Sequence, residues 1–161
     1  MRQFHIILHP TDFSAGSEAA FHYACEMARD YEARLIILHT IEPVTQMVGD
    51  GIIIPYDESE LYADAEQKMQ EIQSSSPGVR MEKIHLAGSP TTAIIETALD
   101  VKADLIVMGT HGRTGIGRLI LGSVAEEVVR KAPCPVLTVK AEPVSKEKAA
   151  APTHAEMVTA G

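Results

Sequence analysis

Residues 109–123 read GTHGRTGIGRLILGS, led in by the apolar run LIVM at 105–108 and followed by VAEEVVRK at 124–131. The stretch carries Gly109, Gly112, Gly115, Gly117 and Gly122. Glycine admits positive φ and lets a ligand approach the backbone with no Cβ in the way. Successive backbone N–H groups in such a loop form an anion cradle. A helix start after it adds unsatisfied N–H groups and a positive dipole end. From 105 to 125 there is no Asp or Glu, while Arg113 and Arg118 are present. In a chain of formal net charge -8, this window repels a phosphate least. Ser123 with Glu126 fits a capping box, with Val124, Val128 and Val129 as an apolar face. Ser123 has two open roles, helix cap and phosphate ligand.

The spacing excludes two common phosphate motifs. A P-loop needs G-x4-G-K-[ST]; Gly112 and Gly117 are correctly spaced, but Arg118 and Leu119 follow. A dinucleotide fingerprint would need glycine at 120, where Ile120 stands. What remains is Gly109-x2-Gly112-x9-Gly122-Ser123.

Outward from this stretch the chain alternates short apolar blocks with helical periodicity. Residues 4–8 form a strand closed by the loop Pro10-Thr11-Asp12. Ser14 then caps a helix over 15–31 with the stripe Ala20, Tyr23, Ala24, Met27, Ala28 and Tyr31. Cys25 beside it is a packing residue. Residues 34–41, RLIILHTI, are apolar without alternation, as in a strand covered on both faces. Residues 42–56 read as a long loop, with Ile52, Ile53 and Ile54 folding back or meeting another subunit. A helix over 57–74 buries Leu61, Ala65, Met69 and Ile72 and leaves a charged, solvated side. Residues 79–86 are more polar, as in an edge strand. Ser89 caps a helix with Pro90 first and Ile94, Ile95, Ala98 and Leu99 inward. Strands over 104–108 and 135–140 flank the glycine stretch and the last helix. From 141 the pattern gives way to an Ala-, Pro- and Lys/Glu-rich tail expected to be disordered.

Composition narrows the function classes. The 161 residues suit one domain, with 45% hydrophobic and 22% charged residues. Aromatics are 4% with no Trp, which disfavours extended base-stacking surfaces, and the acidic balance disfavours nucleic acid or anionic membrane as main partner. Cys25 and Cys134 form no C-x-x-C and suggest neither a disulfide framework nor zinc. A cytoplasmic location is expected. The alternation of strands and helices gives an α/β fold with an open five-stranded parallel sheet and helices on both faces.

The pattern Gly109-x2-Gly112-x9-Gly122-Ser123, set after DLIVMG and before VAEEVVRKAPCPVLTV, resembles the ATP-binding branch of the universal stress protein family. The similarity runs from residue 4 to about 140, making 1–140 the domain and 141–161 a tail. The resemblance implies a Rossmann-like sheet, adenine nucleotide alpha hydrolase-like, with strand order 3-2-1-4-5. The first and fourth strands then meet where the order reverses, and ligands bind beyond the strand C-termini there. Pro10, Thr11 and Asp12 would converge on Met108 and the glycines. By resemblance Asp12 contacts the nucleoside side, the backbone of Ile41 meets adenine, and Gly109, Gly112, Gly122, Ser123 and Val124 hold phosphates. His111 and Arg113, between the glycines, either touch a phosphate or face solvent. His9 stands where the family has an apolar residue.

The expected function is a homodimeric, ATP-binding regulatory protein of the stress response, with Mg²⁺ on the phosphates. At most slow hydrolysis is expected, because no catalytic Lys and no water-orienting carboxylate or glutamine stands in the glycine stretch. The alternative is a protein–protein adaptor of the same fold that is nucleotide-free or binds AMP. An enzyme of the related hydrolase fold would need a Gly/Ser-rich loop where Pro10-Thr11-Asp12-Phe13-Ser14 stands. The exposed final strand, with Val136, Leu137 and Val139, is the expected dimer edge.

Overall fold

Ile7 and Leu8 are both fully buried. Adjacent strand residues point to opposite faces, so the first strand must be covered on both sides. The computed structural model describes residues 3–42, 45–48, 52–55, 58–110 and 121–141. Its elements are β1 (Ile6–Thr11), α1 (Ala15–Asp30), β2 (Arg34–Ile41), β3 (Thr45–Val48), β4 (Ile52–Pro55), α2 (Glu58–Glu71), β5 (Arg80–Ala87), α3 (Pro90–Asp100), β6 (Leu105–Gly109), α4 (Ser123–Lys131) and β7 (Val136–Val139). Five strands form a parallel sheet in the order β5-β2-β1-β6-β7. Counted without β3 and β4, this is the expected 3-2-1-4-5.

Strand alternation builds two cores. Ile7, Leu35, Ile37, Leu105 and Val107 pack with Ala20, Ala24, Cys25 and Ala28 of α1 and Met69 of α2. Leu8, Ile36, Leu38, Ile106 and Met108 pack on the other face with Ile94 and Ala98 of α3 and Ala125 and Val128 of α4. The small residues on α1 let its axis lie close to the sheet. Cys25 is a packing residue in this core.

Three side chains expected inward are exposed: Tyr23 (53%), Leu99 (56%) and Val129 (49%). Each lies one residue, about 100° around a helix, from a buried neighbour. The buried rows use Ser17 on α1 and Thr91 and Thr97 on α3 instead, small polar residues that a purely apolar stripe overlooks. A larger difference is the segment expected as a loop at 42–56. There β3 and β4 pair antiparallel, Thr45 opposite Pro55 and Val48 opposite Ile52. Two β-rich runs around Gly49-Asp50-Gly51 are a hairpin signal. β5 and β7 are the sheet edges. On β7 Leu137 is exposed, whereas Val139 turns into the core. The expected tail lies outside the described residues beyond Ala141.

Candidate functional site

At the C-terminal end of β1 the chain is held in a tight corner. Phe13 has φ of +61°, costly for an aromatic residue. Side chains fix it. Phe13 N–H donates to Thr11 Oγ1 (3.1 Å), which also pairs with Ser17 Oγ (2.6 Å). Asp12 Oδ1 accepts from Ser14 N–H (3.0 Å) and Ser14 Oγ (2.6 Å). Ser14 Oγ in turn accepts from Ser17 N–H (3.2 Å), the N-cap bond of α1. Asp12 is therefore a turn acid, while its residue also borders the cleft described below.

On one side stands the tip of β2. His39 Nδ1 bonds the Thr11 carbonyl (2.8 Å) and its ring packs against Phe13 at a tilt of 39°, centroids 4.3 Å apart. Ile41 is 6% exposed, and its carbonyl accepts from Gly88 N–H (3.0 Å). On the other side β6 ends in Gly109. A Cβ there would sit 2.8 Å from the backbone C and O of Gly16 and 3.1 Å from Ser17 N. This glycine is required by the approach of α1, a reason unrelated to any ligand. Thr110 N–H donates to Val139 O (2.9 Å), and Gly122 N–H donates to Thr110 O (2.8 Å). The residues on either side of the glycine stretch's interior are thus tied together. His111, Gly112 and Arg113 lie outside the described residues.

The last helix begins one residue earlier than the capping box implies. Gly122 is the N-cap, its carbonyl accepting Glu126 N–H at 2.8 Å, and Ser123 is the first helical residue. The capping role expected for Ser123 is therefore corrected. Its phosphate role stays open, because Ser123 stands exposed at the mouth of α4. The first-turn N–H groups of Ser123, Val124 and Ala125 have no partner within the helix.

These tips enclose a cavity of about 840 Å³ beyond the C-terminal ends of β1, β2 and β6. Pro10, Thr11, Asp12, Ile41, Met108, Gly109, Gly122, Ser123 and Val124 all border it. Thus every expected site residue among the described ones lies on one cleft. Missed by the sequence reading were Phe13, Thr40, Ile94 and the wall of α2, where Leu61, Asp64, Ala65 and Lys68 face the cavity. The charged side of α2 looked merely solvated. Only the crossing order of the sheet brings it over β2 and β5. Among the described residues the lining carries the carboxylates Asp12, Glu42 and Asp64 and one ammonium group, Lys68.

Beneath this floor His9 is 1% exposed, with Nδ1 bonded to Val107 O (2.8 Å) and its ring beside Phe21. Burial pushes its pKa from 6.5 down to about 4, against the opposing pull of the Val107 bond and the Asp12 charge. It is a neutral structural histidine in this apolar position. Among the described residues no group of three His, Cys, Asp or Glu is placed to hold a metal, and no helix is long and apolar enough to cross a membrane.

An open parallel sheet with its cleft at the reversal of strand order defines a Rossmann-like α/β ligand-binding architecture. Within that class, the profile of the Universal stress protein family matches residues 3–140, and the chain belongs to that family. It is 39% identical over 140 residues to a universal stress protein of Thermus aquaticus, covering 85% of this chain and 99% of that one. With universal stress protein MJ0577 of Methanocaldococcus jannaschii it shares 31% over 151 residues, covering 83% and 93%. The solved structure of MJ0577 superposes with a TM-score of 0.73 at 28% identity, covering 88% of this chain and 99% of that one. A universal stress protein crystallised in complex with cAMP gives 0.63 at 27%, covering 88% and 100%. One from Archaeoglobus fulgidus in complex with dAMP gives 0.59 at 26%, covering 87% and 100%.

Proposed function

We propose that the chain is an ATP-binding regulatory protein that seats the nucleotide in the cleft over β1 and β6. The observation that carries this reading is the arrival of the α4 N-terminus, with three first-turn N–H groups that have no partner within the helix and the exposed Ser123, on the same cavity as Asp12 and Ile41. Helix N-termini of this kind attract phosphate. A cavity of about 840 Å³ falls within the ordinary range for small-ligand sites. Relatives crystallised in complex with cAMP and dAMP support an adenine nucleotide as the class of ligand. Ile41 would lie under the base, Asp12 near the ribose, and Gly109, Gly122, Ser123 and Val124 along the phosphates. His111, Gly112 and Arg113 are assigned to the phosphate end by the sequence pattern alone. Mg²⁺ would ride on the phosphates with carboxylate help, the usual habit of that ion.

The role is regulatory: hydrolysis, where it occurs, is slow, and the protein acts as a homodimer through β7. Titration calorimetry with ATP tests the core of the proposal. Heat of binding saturating below millimolar ATP is expected, and its absence at millimolar ATP refutes it.

One observation favours the adaptor reading. Gly109 would be retained for the packing of α1 even in a chain whose cleft binds nothing. Partner capture unaffected by Gly122→Val would support the adaptor, and loss of capture together with loss of ATP binding would reject it.

A further inference from the structure

Two features of positive character flank the cleft from different faces of the sheet. One is the N-terminus of α4. The other is Lys68 on α2. Lys68 Nζ lies 5.7 Å from the centroid of the Phe13 ring, and Phe13 directly follows Asp12 at the tip of the central strand β1. The ammonium group therefore stands by the β1 corner of the cleft, whose lining includes both Phe13 and Lys68. Its partner in this state is Asp64 Oδ2 at 2.7 Å, one helical turn back. Both side chains are well exposed, 46% and 61%. An exposed i,i+4 pair of this kind holds its partners weakly, so Lys68 is free to exchange Asp64 for a better anion. The cleft lining otherwise carries only carboxylates as charged groups among the described residues. A polyphosphate entering there would be repelled by Asp12, Glu42 and Asp64, and Lys68 can offset that repulsion from the α2 side.

We infer that Lys68 is a specificity-determining residue that leaves Asp64 and closes on the phosphate chain of the bound nucleotide, on the wall across from α4. This rests on the nucleotide reading above and adds to it a contact from α2. The phosphates are then held between main-chain N–H groups and one movable ammonium group. Asp64 acts as the resting partner that competes with the ligand.

Calorimetric titration of ATP into the full chain tests the inference with four proteins: wild type, Lys68→Gln, Lys68→Arg and Asp64→Asn. Lys68→Gln should weaken ATP binding about tenfold, the worth of one charge-assisted hydrogen bond. It should also flatten the decline of affinity with salt. Lys68→Arg should restore most of the affinity, and Asp64→Asn should tighten binding several-fold. Urea midpoints without ligand should agree across the set, since the pair is exposed. Wild-type binding that Lys68→Gln leaves undiminished, or a loss that Lys68→Arg fails to recover, overturns the role of Lys68 alone. Absence of ATP binding by the wild type overturns the nucleotide reading and this inference with it.

Discussion

His9 makes a sharp test of how the cleft floor is built. It sits on the central strand at 1% exposure, and a carbonyl oxygen, that of Val107, is its partner at Nδ1. A carbonyl can only accept, so Nδ1 carries the proton and Nε2 is left with a lone pair. Nε2 is the one buried side-chain N or O atom without a partner among the described residues. Protonation would place a cation and a new unpartnered donor in the core beside Phe21. The unfolded chain takes this proton near 6.5, the folded chain only near about 4. Between those values the unfolded state holds more protons, so folding weakens as pH falls through the window. The contribution is fully present above about 6.5 and levels off below about 4. At about 1.4 kcal/mol per pH unit, the gap from 6.5 to about 4 is worth about 3 kcal/mol.

Urea unfolding at pH 7.5 and pH 4 measures this, with His9→Leu as reference to cancel the carboxylates that titrate in the same range. The wild type should lose about 3 kcal/mol more than the variant over the interval. His9→Leu also removes the unpartnered nitrogen and restores the apolar residue the strand pattern calls for, so its own pH profile should be flatter. Equal slopes for the two proteins would refute the claim that His9 is buried neutral.

Gly109→Ala should destabilise the fold by about 1–3 kcal/mol in urea titrations, because its methyl would press on the backbone of Gly16 rather than on a movable side chain. Unchanged stability would mean that α1 can retreat from β6. Ser123→Ala should leave stability within about 0.5 kcal/mol, since Gly122 occupies the cap, while weakening ATP binding several-fold by calorimetry. A stability loss near the ~1 kcal/mol typical of a lost serine cap would contradict the cap assignment. Leu137→Glu, at an exposed position on edge strand β7, should convert a dimer into monomer by light scattering. An unchanged mass would place the dimer contact elsewhere.

The sheet was legible because its central strands are unbroken apolar runs and each helix announces itself by periodicity. Their sequence order plus right-handed crossovers left few windings, and family resemblance selected one. Helix faces were less legible where small polar residues do the packing: Ser17, Thr91 and Thr97 are buried, while Tyr23 and Leu99 are not. The hairpin of β3 and β4 was obscured by prolines and glycines that read as loop. At the site, residues adjacent to strand tips were recoverable from sequence because strand ends and motif coincide. The α2 wall was not, because Asp64 and Lys68 look like any solvated i,i+4 pair. Only the return of α2 across β2 makes them part of the cleft.

The two ends of the cleft use their residues differently. Around β1 and β6 the motif residues are engaged by the fold itself. Asp12 Oδ1 holds Ser14, Thr11 Oγ1 holds Phe13 N–H, and Gly109 clears space for Gly16. Changing any of them perturbs the corner that positions α1, so lost binding there cannot be assigned to a lost ligand contact. At α4 the reverse holds. The cap is a glycine, and the serine hydroxyl and first-turn N–H groups are free of structural duty within the helix. On the proposed nucleotide reading, the ligand-facing chemistry of this cleft would therefore be concentrated on the α4 side and on Lys68 of α2. Substitutions at those two places separate affinity from folding, and substitutions at the β1 corner do not.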